Sequence, residues 1–207
     1  VPGKPQTGPS AANLFTDSLK EKELNALKNR SLIPYLLDAA PIIIVPANVS
    51  NLTGETVTGN TIGTDTAFQN ILNLELSEGA FFDAQDTKGR ASVAVIGHDV
   101  KEDLFGTDPA LNQKFKIKGH LFRVIGLLPK KGQILLFNID DSIMIPYTTA
   151  KHYLSGQNLF NEIIVRAAED GLVDRTVADI HHTLRELHAI TDPAKDDFHI
   201  HTQAEIT

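Results

Sequence analysis

Glu162-Ile163-Ile164-Val165-Arg166 opens the stretch whose reading decides the fold. A row of β-branched residues of this length predicts a strand. Leu172, Val173, Val177, Ile180, Leu184, Leu187 and Ile190 then step by three and four, the apolar stripe of an amphipathic helix. Pro193 lies beyond its end, and Asp197-Phe198-His199-Ile200-His201-Thr202 alternates as a half-buried strand. The order is strand, helix, strand.

At the other end of the chain, residues 2–13 hold Pro2, Gly3, Pro5, Gly8 and Pro9, which predicts a loop. A helix follows over Asp17 to Asn29. Thr16 or Ser18 can cap it, Glu21 stands three residues after Ser18 as in a capping box, and Leu19, Leu24 and Leu27 give the stripe. Pro41-Ile42-Ile43-Ile44-Val45-Pro46 reads as a short buried strand bounded by prolines. A strand entering at or before residue 1 would complete a second strand-helix-strand unit. Two such units at the chain ends can pair into one split βαβ sheet, with the middle inserted and the ends close together.

The middle predicts a strand over Thr56 to Thr64 interrupted by glycine, then a short helix from Phe68 running into extended chain near Leu76. Ser92 to Gly97 is a strand, and Asp99 to Phe105 a short helix that Gly106 can end. Lys114 to Leu128 predicts a hairpin turning at Gly119-His120, its lysines facing water. Ser142 to Ile145 is a further strand and Pro146 to Leu154 a short helix. Val95 and Ile125 are expected in core strands.

Composition narrows the function. The chain has 207 residues, with 42% hydrophobic and 22% charged, and 19 Lys+Arg against 26 Asp+Glu give a net charge of -7. This excludes a disordered chain and makes a phosphate-backbone binder a poor fit. Cys is absent, so disulfides, Cys-ligated zinc and a thiol nucleophile are excluded. No signal peptide is visible. The longest apolar stretch, Leu32 to Ala47, is broken by Pro34, Asp38, Pro41 and Pro46, and falls short of the roughly 20 clean residues of a spanning helix. The chain as given is therefore expected to be soluble. It starts at Val1 without a methionine, which leads us to expect a piece of a longer protein.

Chemical candidates are weak. His199 and His201 share a strand face, and His181 and His188 are seven apart on one helical face, so two pairs could meet as metal ligands. No H-E-x-x-H pattern accompanies them, and plain surface roles compete. Asp140-Asp141 and the group Glu102, Asp103 and Asp108 could form carboxylate dyads, or serve as turn and helix-surface charge. Ser92 and Ser142 lie inside strands rather than on a G-x-S-x-G elbow. Gly97, Gly106, Gly119 and Gly126 do not form G-x-G-x-x-G, and turn roles suit them. Asn29, Asn48 and Asn51 each begin an N-x-S/T sequon. Lys114, Lys116, Lys118, Lys130 and Lys131 could make a docking face for an acidic partner or lipid head groups, or a solvated face that protects a sheet edge.

The central block, Val93-Ala94-Val95-Ile96-Gly97, Leu104-Phe105-Gly106, Pro109, Ile117, Gly119, Phe122, Val124-Ile125-Gly126-Leu127-Leu128 and Gly132, resembles the extracytoplasmic core domain of MacB-like ABC transporter permeases of the FtsX-like superfamily. Gly63-Thr64-Asp65, Leu74-Glu75-Leu76 with Gly79-Ala80-Phe81-Phe82, and Ile145-Pro146-Tyr147-Thr148-Thr149-Ala150 look like further segments of that family. Ala80 departs from it, standing where Arg is frequent, and the first strand looks almost absent.

The resemblance implies an α+β fold. A porter-like part would be split over residues 1–50 and 159–207, with a sabre-like mixed α/β part inserted over residues 51–158. It also implies a non-catalytic role on the outer side of the bacterial cytoplasmic membrane, passing ATP-driven motion to a substrate or partner. Implied partners are a second permease copy or related subunit, a cytoplasmic ABC ATPase, and an extracytoplasmic adaptor or substrate protein. No nucleic acid, cofactor, metal or catalytic residue is expected. The alternatives are a His-dependent metal-binding hydrolase and a free-standing extracellular binding module.

Overall fold

The structure, a computed structural model, describes residues 11–15 and 19–202. In chain order its elements are β1 (Ala11–Phe15), α1 (Glu21–Leu27), β2 (Leu36–Val45), β3 (Val49–Ser50), β4 (Thr56–Val57), β5 (Asn60–Thr64), α2 (Thr66–Leu72), β6 (Glu78–Gly79), α3 (Ala84–Lys88) and β7 (Val93–Ile96). There follow α4 (His98–Phe105), β8 (Lys114–Ile117), β9 (His120–Leu127), β10 (Gln133–Ile134), β11 (Phe137–Asn138), β12 (Ser142–Pro146), α5 (Tyr147–Thr149), β13 (Glu162–Ala167), α6 (Val173–Leu187) and β14 (His199–Thr202). A π-helical turn, Ala150–Ser155, continues α5. No helix among the described residues is long and apolar enough to cross a membrane.

Two compact units result. The terminal unit takes the described residues of Val1–Ile42, Asn70–Asn73 and Asn158–Thr207, and the inserted unit takes Ile43–Gln69 and Leu74–Gln157.

In the terminal unit the strands run in the order β14-β1-β13-β2, each antiparallel to its neighbour. Ala12 pairs with Val165 on one side and Thr202 on the other. Ile163, Ile164 and Val165 of β13 are buried, as a central strand requires. Asp38 and Arg166, paired across β2 and β13, form an ion pair at 2.8 Å. The helices α1 and α6 pack together, and Leu24 and Leu27 of α1 and Ile180 and Leu184 of α6 are buried.

The inserted unit is a mixed sheet, ordered β5-β12-β7-β9-β8-β3-β4, with Ile43–Val45 of β2 on β5 and β6 on β9. β12 is parallel to β5, and β7 is parallel to β9. Its core holds Phe68, Phe82, Phe115 and Phe122, each almost fully buried. β10 and β11 form a separate two-stranded ribbon.

Several expectations are corrected. The first strand is not almost absent: β1 lies at Ala11–Phe15, overlapping the end of the stretch 2–13 expected as loop, and a strand at residue 1 falls outside the described residues. The first helix is Glu21–Leu27, shorter than expected. Thr16 and Ser18 lie outside the described residues, and the first free amide donor, Lys20 N–H, is taken instead by the Glu23 carboxylate at 2.8 Å. β2 starts at Leu36 and runs through Pro41. No described strand pairs with its other side before Ile43, so a missing donor at Pro41 leaves no ladder bond unmade there.

The hairpin turns one residue earlier than expected, at Lys118-Gly119, with Ile117 facing His120. Both turn residues have positive φ (51° and 77°), the two-residue turn that suits strand twist. Ile125 is half-buried rather than core, because the register against β7 jumps from Val124 to Gly126 and the bulge displaces it. On α6 the apolar stripe gives out at its C-terminal end, where Leu187 is exposed, while Thr176 and Thr183 are buried.

Candidate functional site

The geometry that stands out in the terminal unit is where the chain enters and leaves it. β1 and β14 are hydrogen-bonded neighbours running antiparallel, from Ala12 opposite Thr202 to Phe15 opposite His199. The chain therefore comes in along β1 and goes out along β14 at the same end of the sheet.

The segment leading into β14 is clamped by charged groups of α6. Arg185 holds Asp196 bidentately, Nε to Oδ1 at 2.9 Å and Nη2 to Oδ2 at 2.7 Å. His188 donates from Nδ1 to Asp197 at 2.8 Å and from Nε2 to Glu23 of α1 at 3.0 Å. Carboxylates on both ring nitrogens require a doubly protonated imidazolium. Phe198, buried, meets the rings of both His181 and His188, at 5.2 and 6.4 Å. Glu23 thus has two tasks, closing the first turn of α1 and tying that helix to the C-terminal end of α6.

Electrostatics follow the contacts. Burial pushes the His188 pKa down, but its hydrogen bonds to Asp197 and Glu23 outweigh this and hold it above the ordinary value. For His181 burial wins, helped by Arg185 and opposed by Asp196, and its pKa is lowered. The hydrogen bond from Arg185 holds the Asp196 carboxyl below the usual carboxylate range.

Among the described residues, His181, His188 and His199 of the possible metal set form no cluster of ligand atoms. Among the described residues the polar partners of His181 and His188 are carboxylates; His199 is exposed, and the His201 side chain lies outside the described residues. A different group, His98, Asp99 and Glu102 at the start of α4, brings ligand atoms within 4.8 Å of one another. It is half-exposed to exposed, and the Lys130 ammonium 3.9 Å from Asp99 already answers its charge.

Asp140 is a loop-shaping carboxylate that accepts the Lys131 and Gly132 amides at 2.7 and 3.0 Å, and Asp141 accepts from Asn138. Asp103 and Asp108 are exposed. Ser142 Oγ donates to the Asn138 carbonyl, and Ser92 Oγ lies 2.9 Å from His120 Nε2. Asn51 shapes its own loop, accepting from the Thr53 and Glu55 amides.

Contacts are defined for three of the five lysines. The Lys118 ammonium donates to the Leu154 carbonyl at 2.9 Å, the Lys130 ammonium lies 3.9 Å from Asp99, and Lys131 donates its backbone amide to Asp140. Arg185 and Asp196 were missed in the sequence. Their spacing of eleven residues fits no local motif, and only the turn after α6 brings them together.

The model of the MacB-like periplasmic core domain matches residues 2–183. The chain belongs to this family. Among curated relatives, the macrolide export ATP-binding/permease protein MacB of Wolinella succinogenes is 31% identical over 144 residues, covering 69% of this chain and 22% of that protein. The pyoverdine export ATP-binding/permease protein PvdT of Pseudomonas syringae pv. tomato is 36% identical over 129 residues, covering 61% and 20%. The chain spans about a fifth of the length of these relatives.

In fold, it is similar to the periplasmic region of MacB from Actinobacillus actinomycetemcomitans, with a TM-score of 0.81 at 19% identity over 96% of this chain and 91% of that one. It is also similar to the extracellular domain of the transporter YknZ from Gram-positive bacteria, with a TM-score of 0.76 at 18% identity over 93% and 100%. The expected mixed α/β fold of a MacB-like domain is thus the observed one.

Proposed function

We propose that this MacB-like periplasmic core domain is the non-catalytic outer part of an ABC transporter permease, and that it transmits ATP-driven motion to a substrate or partner outside the bacterial cytoplasmic membrane. The single observation that carries this reading is the pairing of β1 with β14, which brings entry and exit of the chain to one end of one sheet. Motion arriving along either strand enters a hydrogen-bonded sheet at once, and through Asp196 and Asp197 it reaches α6 and α1. A body that moves as a unit needs such stiff attachment and needs no activated nucleophile.

In this reading the terminal unit is the porter-like part and the inserted unit the sabre-like part. A second permease copy or related subunit, a cytoplasmic ABC ATPase and an adaptor or substrate protein are its partners. No residue of the chain acts as a catalyst, cofactor ligand or metal ligand.

The test is made in the full-length transporter. Replacing residues 19–202 by a flexible Gly/Ser linker leaves ATP hydrolysis in place and stops export. Export that continues with the linker overturns the reading.

A further inference from the structure

The inserted unit carries a feature that this reading leaves unused. Around the π-helical turn Ala150–Ser155, three separate stretches of chain bring positive groups and rings to one surface. The turn closes through a hydrogen bond from Gly156 N–H to the Lys151 carbonyl at 3.0 Å, five residues back. It sets His152 and Tyr153 outward next to each other, their rings edge-on at 4.6 Å. Such wide turns recur at functional positions because they re-aim side chains at a cost in helix regularity.

Tyr153 is 46% exposed and stacks on His120 of β9 at 4.4 Å, and His120 in turn meets the buried Phe122 edge-on. The ring is therefore held on a platform fixed to the core. Arg90, just after α3, donates to His152 Nδ1 at 3.3 Å. The Thr148 hydroxyl donates to the Thr87 carbonyl and that of Thr149 to the Ala91 carbonyl, which fixes the Arg90 segment against the turn. Lys118 reaches the same turn through the Leu154 carbonyl.

The charge is the telling point. The chain carries seven more carboxylates than cations. Yet among the described residues no carboxylate pairs with Lys88, Arg90 or Lys118. The carboxylate closest in sequence to Arg90, Asp86, is turned to the Asp83 amide at the other end of α3. Local cations kept clear of the chain's own abundant acids complement an anionic partner and steer its approach.

We propose that this surface, centred on Arg90 and Tyr153, docks an acidic polypeptide segment. A rigid, half-exposed tyrosine flanked by an arginine is the residue pairing that dominates protein–protein contacts. A lipid surface is disfavoured, because the exposed Tyr153 ring is polar-tipped and the side chains it meets at the surface, His120 and His152, are polar. The proposal stands apart from the transport reading, since binding can be read in solution with no transporter present.

The probe is a fluorescein-labelled peptide alternating glutamate with phenylalanine, titrated with the 207-residue chain and followed by fluorescence polarisation. The expected result is saturable binding that weakens about five-fold or more in Arg90→Gln and in Tyr153→Ala, each verified as folded by its thermal melt. Raising NaCl from about 50 to 300 mM weakens the parent and Tyr153→Ala, and has less effect on Arg90→Gln. Lys114→Gln, on the far arm of the hairpin, binds like the parent. Absence of binding, an equal loss in Lys114→Gln, or equal affinity for a peptide alternating lysine with phenylalanine overturns the proposal. Tighter binding to phosphatidylglycerol vesicles than to the peptide, lost in the same variants, makes the occupant a membrane and overturns it too.

Discussion

Gly97 ends β7 and leads into α4 with an unremarkable backbone, φ -74° and ψ 167°, so its side chain is excluded by space alone. A Cβ there would stand 2.1 Å from the Ile139 carbonyl oxygen and 2.5 Å from that of Asp140. Backbone cannot swing aside as a side-chain tip can, and the Gly97 amide is itself bonded to the Ser142 carbonyl at 2.9 Å. Gly97→Ala is expected to destabilise the chain by about 3 kcal/mol, read from urea or thermal unfolding. Unchanged stability would mean that the 139–140 backbone is farther away than described. A second contrast lies close by. Val95→Asp places a carboxylate in a position with no solvent contact and should abolish the cooperative melt, while Ile125→Asp, displaced by the bulge to a half-buried site, should leave a folded protein. Equal damage from the two would put Ile125 back in the core.

At the level of elements, α6 is held by one apolar stripe and one set of charges. Leu184 is fully buried, so Leu184→Ala should cost about 2–5 kcal/mol by denaturant titration. The charges predict a pH dependence of two opposite signs. His188 has its folded pKa raised, so the native state holds more protons than the unfolded chain once the pH exceeds about 6.5; its contribution is complete below that and is lost as pH rises through the folded value. His181 has its folded pKa lowered, so below about 6.5 the unfolded chain takes up the extra proton and stability falls as the pH drops. Together they place a maximum of the melting temperature near pH 6.5. Protonation of Asp196, whose folded pKa is depressed below 3.8, weakens the clamp only in stronger acid. His188→Gln should flatten the alkaline side and leave the acid side, as melts from pH 5 to 9 would show. An alkaline side unaltered by His188→Gln would rule out the Glu23–His188–Asp197 contact as its source.

What the chain declared in advance follows from the range of the forces involved. β7, α4, β13 and α6 were legible because burial on one or both faces writes a local pattern, and Gly106 marked where α4 stops. β1 was not legible. Its strand character comes from the two strands that flank it in the sheet, about 150 and 190 residues away in sequence. The cap at Lys20 was hidden for a similar reason: Glu23 acts both as cap partner and as counter-ion to a histidine on another helix, and only the first of these is a sequence-local event. The surface around Tyr153 draws on residues 90, 118, 120, 152 and 153, so no window of sequence contains it. The alternating lysines of the hairpin mark Lys118, whereas no local pattern marks Arg90 or Tyr153.

For the molecule as a whole, the pairing of β1 with β14 makes the clearest prediction. The chain has no cysteine of its own, and Ala12 faces Thr202 across the two strands. Ala12→Cys with Thr202→Cys should oxidise to a single intramolecular disulfide, since directly opposed residues of antiparallel strands bring their Cβ atoms within about 5 Å. By closing nearly the whole chain into a loop, it should raise stability by about 2–5 kcal/mol over the reduced form, measured by melts with and without reductant. Failure to form the bond in the folded protein would remove β1 from its place in the sheet. The same adjacency has an engineering corollary. A segment running from Ala12 to Thr202, which face each other one strand-width apart, can be spliced into a tight surface turn of an unrelated host, where it would hang as a self-contained cassette without prising the host open.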